Sequence, residues 1–174
     1  MRTILLLRHA QAVLPDSSGK DFDRRLSLSG ENDAEMQAIR IVQSGLKPDF
    51  IVYSPACRTY QTAHIFAATL NKAFPEAPVT LQAAAALYRA DAAGYIDEIR
   101  SSVPDTAQCV LIVGHNPSIE DCALLFAQEN QRLAERIGYG FPTSGVAVIV
   151  TDKALSELAP NTGTLTALLL PHED

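Results

Sequence analysis

A chain of 174 residues, 47 % hydrophobic and with a formal net charge of −6, reads as ordinary globular material, long enough for one domain with a real core over 1–174. The acidic balance argues against general nucleic-acid or anionic-membrane binding, so an anion site must be a local concentration of positive charge. No apolar run is long enough to span a membrane, the run Thr3 to Leu7 is too short for a signal peptide's core, and the scattered Cys57, Cys109 and Cys122 form no CxxC pair; the expectation is reduced thiols in a cytoplasmic protein.

The elements follow in chain order. "TILLLR" (3–8) is continuous and apolar, the pattern of a central strand. Residues 13–29 are polar and rich in turn formers, and read as a loop. A helix is predicted from Ser29 or Gly30, with Ala34, Ala38, Ile41 and Val42 on one face and Gly45 near its end. "DFIVYS" (49–54) is a second buried strand, followed by a helix with Thr59, Ala63, Phe66, Ala67 and Leu70 at helical spacing. "PVTLQA" (78–83) is a short strand, 91–103 is helical, "CVLIVGH" (109–115) is a third strong strand, and "PSIEDCALLFAQ" is the helix after it. At the end, "GVAVIVT" (145–151) and "TLTALLLP" (164–171) form a hairpin. Strands alternating with helices imply an α/β fold: three layers, α/β/α, around a mostly parallel sheet with a C-terminal antiparallel hairpin.

The charged residues fall where such a sheet binds ligands, outside the carboxyl ends of its strands. The first strand ends in Arg8-His9. The second ends in "SPACR", which puts Arg58 one turn into the next helix. The third ends in "GHNP", with His115 at the turn. Ser54 with Pro55, and Asn116 with Pro117, read as helix caps followed by a first-turn proline, so two helix N-termini face the same crevice. Two arginines, two histidines and two helix starts make a site for a dianion, and phosphate suits the paired donors of arginine. His64, in a helix, and His172, in the tail "PHED", read as structural or solvated, and Cys57 as a packing residue.

In order and spacing, "LLLRHAQA", "SPACRTYQTA" and "VGHNPSIED" resemble the histidine phosphatase superfamily, which has the phosphoglycerate-mutase-like fold. The segments "DRRLSLSG" and "YGFPTSGVAVI" are most similar to its SixA-type phosphohistidine phosphatase branch. The resemblance implies a phosphatase in which His9 is the nucleophile that takes the phosphoryl group, Arg8 and Arg58 hold the phosphate oxygens, and His115 contacts the phosphoryl group and its transition state. It also implies a general acid after the third short strand, where "ALYRADAAGY" offers only Asp91. Asp91, Asp16, Asp21, His115 itself or the substrate's own proton stay open for that role.

The chemistry is consistent with these residues. Arginines and helix dipoles offset the repulsion between a nucleophile and a phosphate dianion. His9 must attack through a neutral nitrogen while its other nitrogen is held by an acceptor. No His/Asp/Glu set has metal-ligand spacing, so neither a metal nor another cofactor is expected. A phosphoramidate such as phosphohistidine needs less acid assistance than an alkyl phosphate, which favours a phosphorylated protein of the histidine-phosphotransfer type as substrate. The alternatives are a small phosphorylated metabolite, for which Arg24 and Lys20 in the loop 13–25 could bind a second anionic group, and a phosphate-binding module without catalysis.

Overall fold

The structure is a computed structural model, and it describes residues 1–17, 19–128, 135–136 and 140–172. The first apolar run forms β1 (Arg2–Arg8), and its alternating side chains serve two separate cores. Ile4 and Leu6 face one layer of helices, while Leu5 and Leu7 face the other. This two-sided burial is why the run is continuously apolar rather than alternating.

On one face pack α1 (Leu28–Gln43) and α2 (Cys57–Ala73), through Ala34, Ala38 and Ile41 of α1 and Ala63, Phe66 and Leu70 of α2. On the other pack α3 (Ala92–Ser102) and α4 (Ser118–Phe126), through Tyr95, Ile96 and Ile99 of α3 and Ile119, Cys122 and Phe126 of α4. α1 begins slightly earlier than its sequence pattern suggests, because the Ser27 hydroxyl accepts from the Gly30 N–H and caps it. Just past its end, Gly45 takes a φ of +74°, the left-handed stop that glycine adopts without a Cβ penalty.

Between the layers lie β1, β2 (Phe50–Tyr53), β3 (Thr80–Ala83), β4 (Cys109–Gly114), β5 (Ala127–Gln128), β6 (Val146–Thr151) and β7 (Gly163–Leu169) in the order β3-β2-β4-β1-β6-β7-β5. β6 alone runs against its neighbours, pairing antiparallel with both β1 and β7, and so supplies the C-terminal hairpin. β4 lies parallel between β1 and β2, with Arg8 opposite Gly114 and Tyr53 opposite Val113. That register brings the ends of three strands, distant in sequence, to one edge. Because β6 is reversed, Val146 at its start pairs with Leu7, and the segment before it, Phe141–Gly145, arrives at the same edge. The two-residue β5 had no readable signal in the sequence. Tyr139, the first residue of the segment "YGFPTSGVAVI", lies outside the described residues.

Candidate active site

His9 follows β1 directly, and its backbone N–H donates to the Gly114 carbonyl of β4 at 3.0 Å. Its Nδ1 lies 2.7 Å from the Ala10 carbonyl, which can only accept, so Nδ1 carries the hydrogen and Nε2 the lone pair. Arg58 Nε points its hydrogen at that lone pair from 3.3 Å. Burial, opposed by the Ala10 bond and reinforced by His115, Arg58 and Arg8, pushes the His9 pKa down to about 3. The ring is therefore neutral at physiological pH, as a nitrogen nucleophile requires.

His115 follows β4, with its ring 5.3 Å from that of His9 at an interplanar angle of 61°. Its Nε2 is 2.8 Å from Ser54 Oγ, and its Nδ1 is buried with no hydrogen-bond partner. Burial, then the Arg58 charge, with Asp21 opposing and Arg8 adding a smaller push, lowers its pKa to about 4. Its backbone N–H donates to the hydroxyl of the fully buried Tyr95 at 3.1 Å. That approach fixes the neighbouring residue as glycine: a Cβ on Gly114 would lie 2.3 Å from the Tyr95 hydroxyl oxygen.

The two arginines are held differently. Arg8 Nη1 donates to the Phe141 carbonyl at 2.7 Å, while its buried Nε has no partner. The same carbonyl accepts from Asn116 Nδ2, and Glu120 accepts from both Asn116 Nδ2 and the Phe141 N–H. Ser144 completes this wall. It is buried at a φ of 61°, unusual for a residue with a side chain, and its N–H donates to the Arg8 carbonyl at 3.1 Å. Arg58 is anchored from the loop: Nη1 donates to the Asp21 carbonyl at 2.7 Å and Nη2 to the Asp21 carboxylate at 3.0 Å. That carboxylate also accepts from Arg24 Nη1 and Tyr88 Oη, each at 3.0 Å.

The predicted quartet Arg8, His9, Arg58 and His115 thus converges at one sheet edge. Arg24 reaches it only through Asp21, its other donors going to the Val13 carbonyl at 2.9 and 3.0 Å. Asp91 does not join it. Its carboxylate is the N-cap of α3, accepting from the Gly94 N–H at 2.9 Å, and among the described residues no hydrogen bond or ion pair links it to the quartet. Asp21 is the acid that touches the site, yet it is unsuited to donate a proton. Burial would raise its pKa, but hydrogen bonds from Arg24, Tyr88 and Arg58 prevail and hold it at about 2. Asp16 accepts from Gly19 N–H within its own loop.

Both helix starts also differ from expectation. α2 begins at Cys57 after Ala56, and α4 at Ser118 after Pro117, with a cis Asn116–Pro117 bond and no side-chain cap at either. Ser54 and Asn116 do not cap because their side chains meet His115 and Glu120 instead. Tyr88 and Phe141 are site residues that the sequence did not single out, and Ser54 reads there only as a helix cap, since each contact spans many residues. His64 stacks on Tyr60 with ring centroids 3.9 Å apart, and Cys57 Sγ meets Gln61, as structural residues would. Among the described residues, no group of three or more His, Cys, Asp and Glu side chains is arranged to hold a metal ion.

Two uncharged histidines flanked by two guanidinium groups, with the His9 Nε2 lone pair facing Arg58, define an α/β phosphatase. Comparison with known proteins agrees. Residues 4–87 match the family described as the histidine phosphatase superfamily (branch 1). An uncharacterised Mycobacterium tuberculosis protein is 30 % identical over 169 residues, 95 % of this chain and 100 % of its own. A candidate phosphohistidine phosphatase, SixA, of Agrobacterium tumefaciens superposes with a TM-score of 0.80 at 29 % identity, covering 98 % of each chain. A mycobacterial glucosyl-3-phosphoglycerate phosphatase shares the fold, with a TM-score of 0.63 at 18 % identity over 96 % of this chain and 98 % of its own. The chain belongs to the histidine phosphatase superfamily and has the architecture of its SixA-type branch. No helix among the described residues is long and apolar enough to cross a membrane.

Proposed function

We propose that the protein removes the phosphoryl group from phosphohistidine on a partner protein, through a phosphohistidine intermediate on His9. The observation that carries this reading is the Nδ1 bond to the Ala10 carbonyl, which leaves Nε2 as a lone pair facing Arg58. In the first step the Nε2 pair forms a bond to phosphorus while the bond to the leaving group breaks. The pair released leaves with the substrate's imidazole, which departs neutral if its other nitrogen is protonated. The His9 ring becomes positive, and its Nδ1–H stays on the Ala10 carbonyl, which stabilises that charge. Arg8 and Arg58 neutralise the phosphoryl oxygens throughout. In the second step a water oxygen attacks phosphorus, the P–Nε2 pair returns to His9, and both water protons leave on dihydrogen phosphate.

The substrate reading has two supports. Neither Asp21 nor Asp91 offers the crevice a proton, since Asp21 is held at about 2 and Asp91 caps α3. An imidazole leaving group tolerates that lack better than an alkoxide. The loop also brings an exposed apolar side chain to the crevice: Phe22 packs edge-on to Tyr88, whose ring in turn flanks His115. Apolar surface of that kind suits a protein face more than a sugar phosphate. A small-metabolite substrate is the second reading, favoured by the position of Arg24 beside Asp21. The two separate on kcat/KM for a histidine-phosphorylated phosphotransfer domain against a panel of phosphomonoesters. The proposal expects the phosphoprotein to lead by orders of magnitude; a metabolite that leads instead overturns it.

A further inference from the structure

Ser54 ends the second strand's run, is fully buried, and places its hydroxyl oxygen 2.8 Å from His115 Nε2. A sequence reading makes it a helix cap, yet α2 has no side-chain cap at all. The hydroxyl is committed to a histidine 61 residues away. A hydroxyl beside an imidazole nitrogen can donate or accept, and the two choices put the ring's single hydrogen on opposite nitrogens.

The surroundings distinguish them. The backbone of His115 is fixed by the Tyr95 hydroxyl, and its ring by the flanking His9 and Tyr88 rings at 5.3 and 5.6 Å. With Nε2 taken by Ser54, Nδ1 is the nitrogen left for a phosphoryl group, and it is buried without a partner. If Nε2 carried the hydrogen, Nδ1 would aim a lone pair at a bound dianion, and the Ser54 proton would need another acceptor. If Ser54 donates instead, the ring hydrogen lies on Nδ1 and meets a phosphoryl oxygen. We infer that Ser54 is a positioning residue: it donates to His115 Nε2, holds the ring as its Nδ1–H tautomer, and thereby makes His115 a hydrogen-bond donor to the transferring phosphoryl group. Ser54 itself touches no reacting atom. This inference rests on the reading of the crevice as a phosphoryl-transfer site, and it assigns a role to a residue outside the quartet.

The test is long-range 1H–15N correlation NMR on the histidine-labelled full chain, which distinguishes the tautomers directly and needs no turnover. The wild-type protein is expected to show His115 protonated at Nδ1, with Nε2 as the bare nitrogen. Ser54→Ala is expected to mix the tautomers and to lower kcat about tenfold with little change in KM, since the donor acts mostly on charge developing in the transition state. Ser54→Cys, which keeps a weak donor of similar shape, is expected to fall between the two. Because Ser54 acts through His115, the Ser54→Ala/His115→Asn double variant is expected to be no slower than His115→Asn alone. An Nε2–H tautomer in the wild type, a Ser54→Ala kcat within twofold of wild type, or additive losses in the double variant would each overturn the proposal. If Ser54→Ala fails to fold, the wild-type spectrum and Ser54→Cys still decide it. A chain with no phosphatase turnover would refute the functional reading and leave the tautomer test standing.

Discussion

Replacing Asp21 with Asn removes one negative charge from the point where Arg24, Arg58 and Tyr88 converge, at nearly constant shape. Burial works to raise this carboxyl's pKa, but the hydrogen bonds from Arg24, Tyr88 and Arg58 outweigh it and hold it at about 2, against 3.8 for a free aspartate. That gap corresponds to roughly 2.5 kcal/mol of preference for the charged form in the folded state. The Asp21 side chain is 53 % exposed, so solvent screens the interaction. After that discount, about 1 kcal/mol is the expected contribution. A folded-state pKa below the unfolded one means that the contribution is fully present above 3.8 and is lost as pH falls through about 2. Asp21→Asn should therefore cost about 1 kcal/mol at neutral pH, a Tm loss of about 2–4 °C in a chain of this size. The difference should shrink in strong salt and as the pH falls below 3.8. Urea unfolding followed by circular dichroism, at neutral pH and again in acid, measures it. A variant as stable as the wild type at neutral pH, or a deficit that does not shrink in acid, refutes the claim that the charge of Asp21 draws these three groups together.

The pH profile of activity should lack the usual histidine limb. Burial and the two arginines hold His9 at about 3 and His115 at about 4, so both rings stay neutral well below 6.5. Once corrected for the substrate's own ionisation, kcat/KM should hold its level to about pH 5 and fall below it; half-loss near 6.5 would contradict the assigned electrostatics. Gly114→Ala should cost about 1–3 kcal/mol of stability by overpacking and lower kcat as well, because the added Cβ strikes the Tyr95 hydroxyl that holds His115. A variant with wild-type Tm and kcat would show that Tyr95 yields freely. Arg58→Lys keeps the charge but loses the fork that meets Asp21 at two atoms and His9 at a third, so kcat/KM should fall about a hundredfold or more; a loss under tenfold would reduce Arg58 to a point charge.

The sequence made the strands and the quartet legible for a simple reason. β1, β2 and β4 are buried on both faces, so they read as unbroken apolar runs, and Arg8, Arg58 and His115 stand out at their ends against that background. Helix starts were harder. Ser-Pro and Asn-Pro look like caps locally, but the Ser54 hydroxyl and the Asn116 amide have stronger partners in His115 and Glu120, which come from β4 and α4. Asp91 was attractive as an acid only while its own backbone was invisible; three residues on, the Gly94 N–H claims it. Asp21 was one loop acid among several until the fold laid it against Arg58, 37 residues away. Phe141 and Ser144 lie in a segment that carries the resemblance, but their place beside Arg8 was not legible, because it depends on β6 running backwards against β1.

Attack of His9 Nε2 on phosphorus is the step on which the proposed function turns. It is tested most directly by quenching the enzyme during turnover of a phosphorus-32-labelled substrate and mapping the label by mass spectrometry. An acid-labile, alkali-stable phosphoryl group is expected on His9 and absent from His9→Ala, which should also be inactive. Turnover that persists in His9→Ala, or label on any other residue, would contradict it.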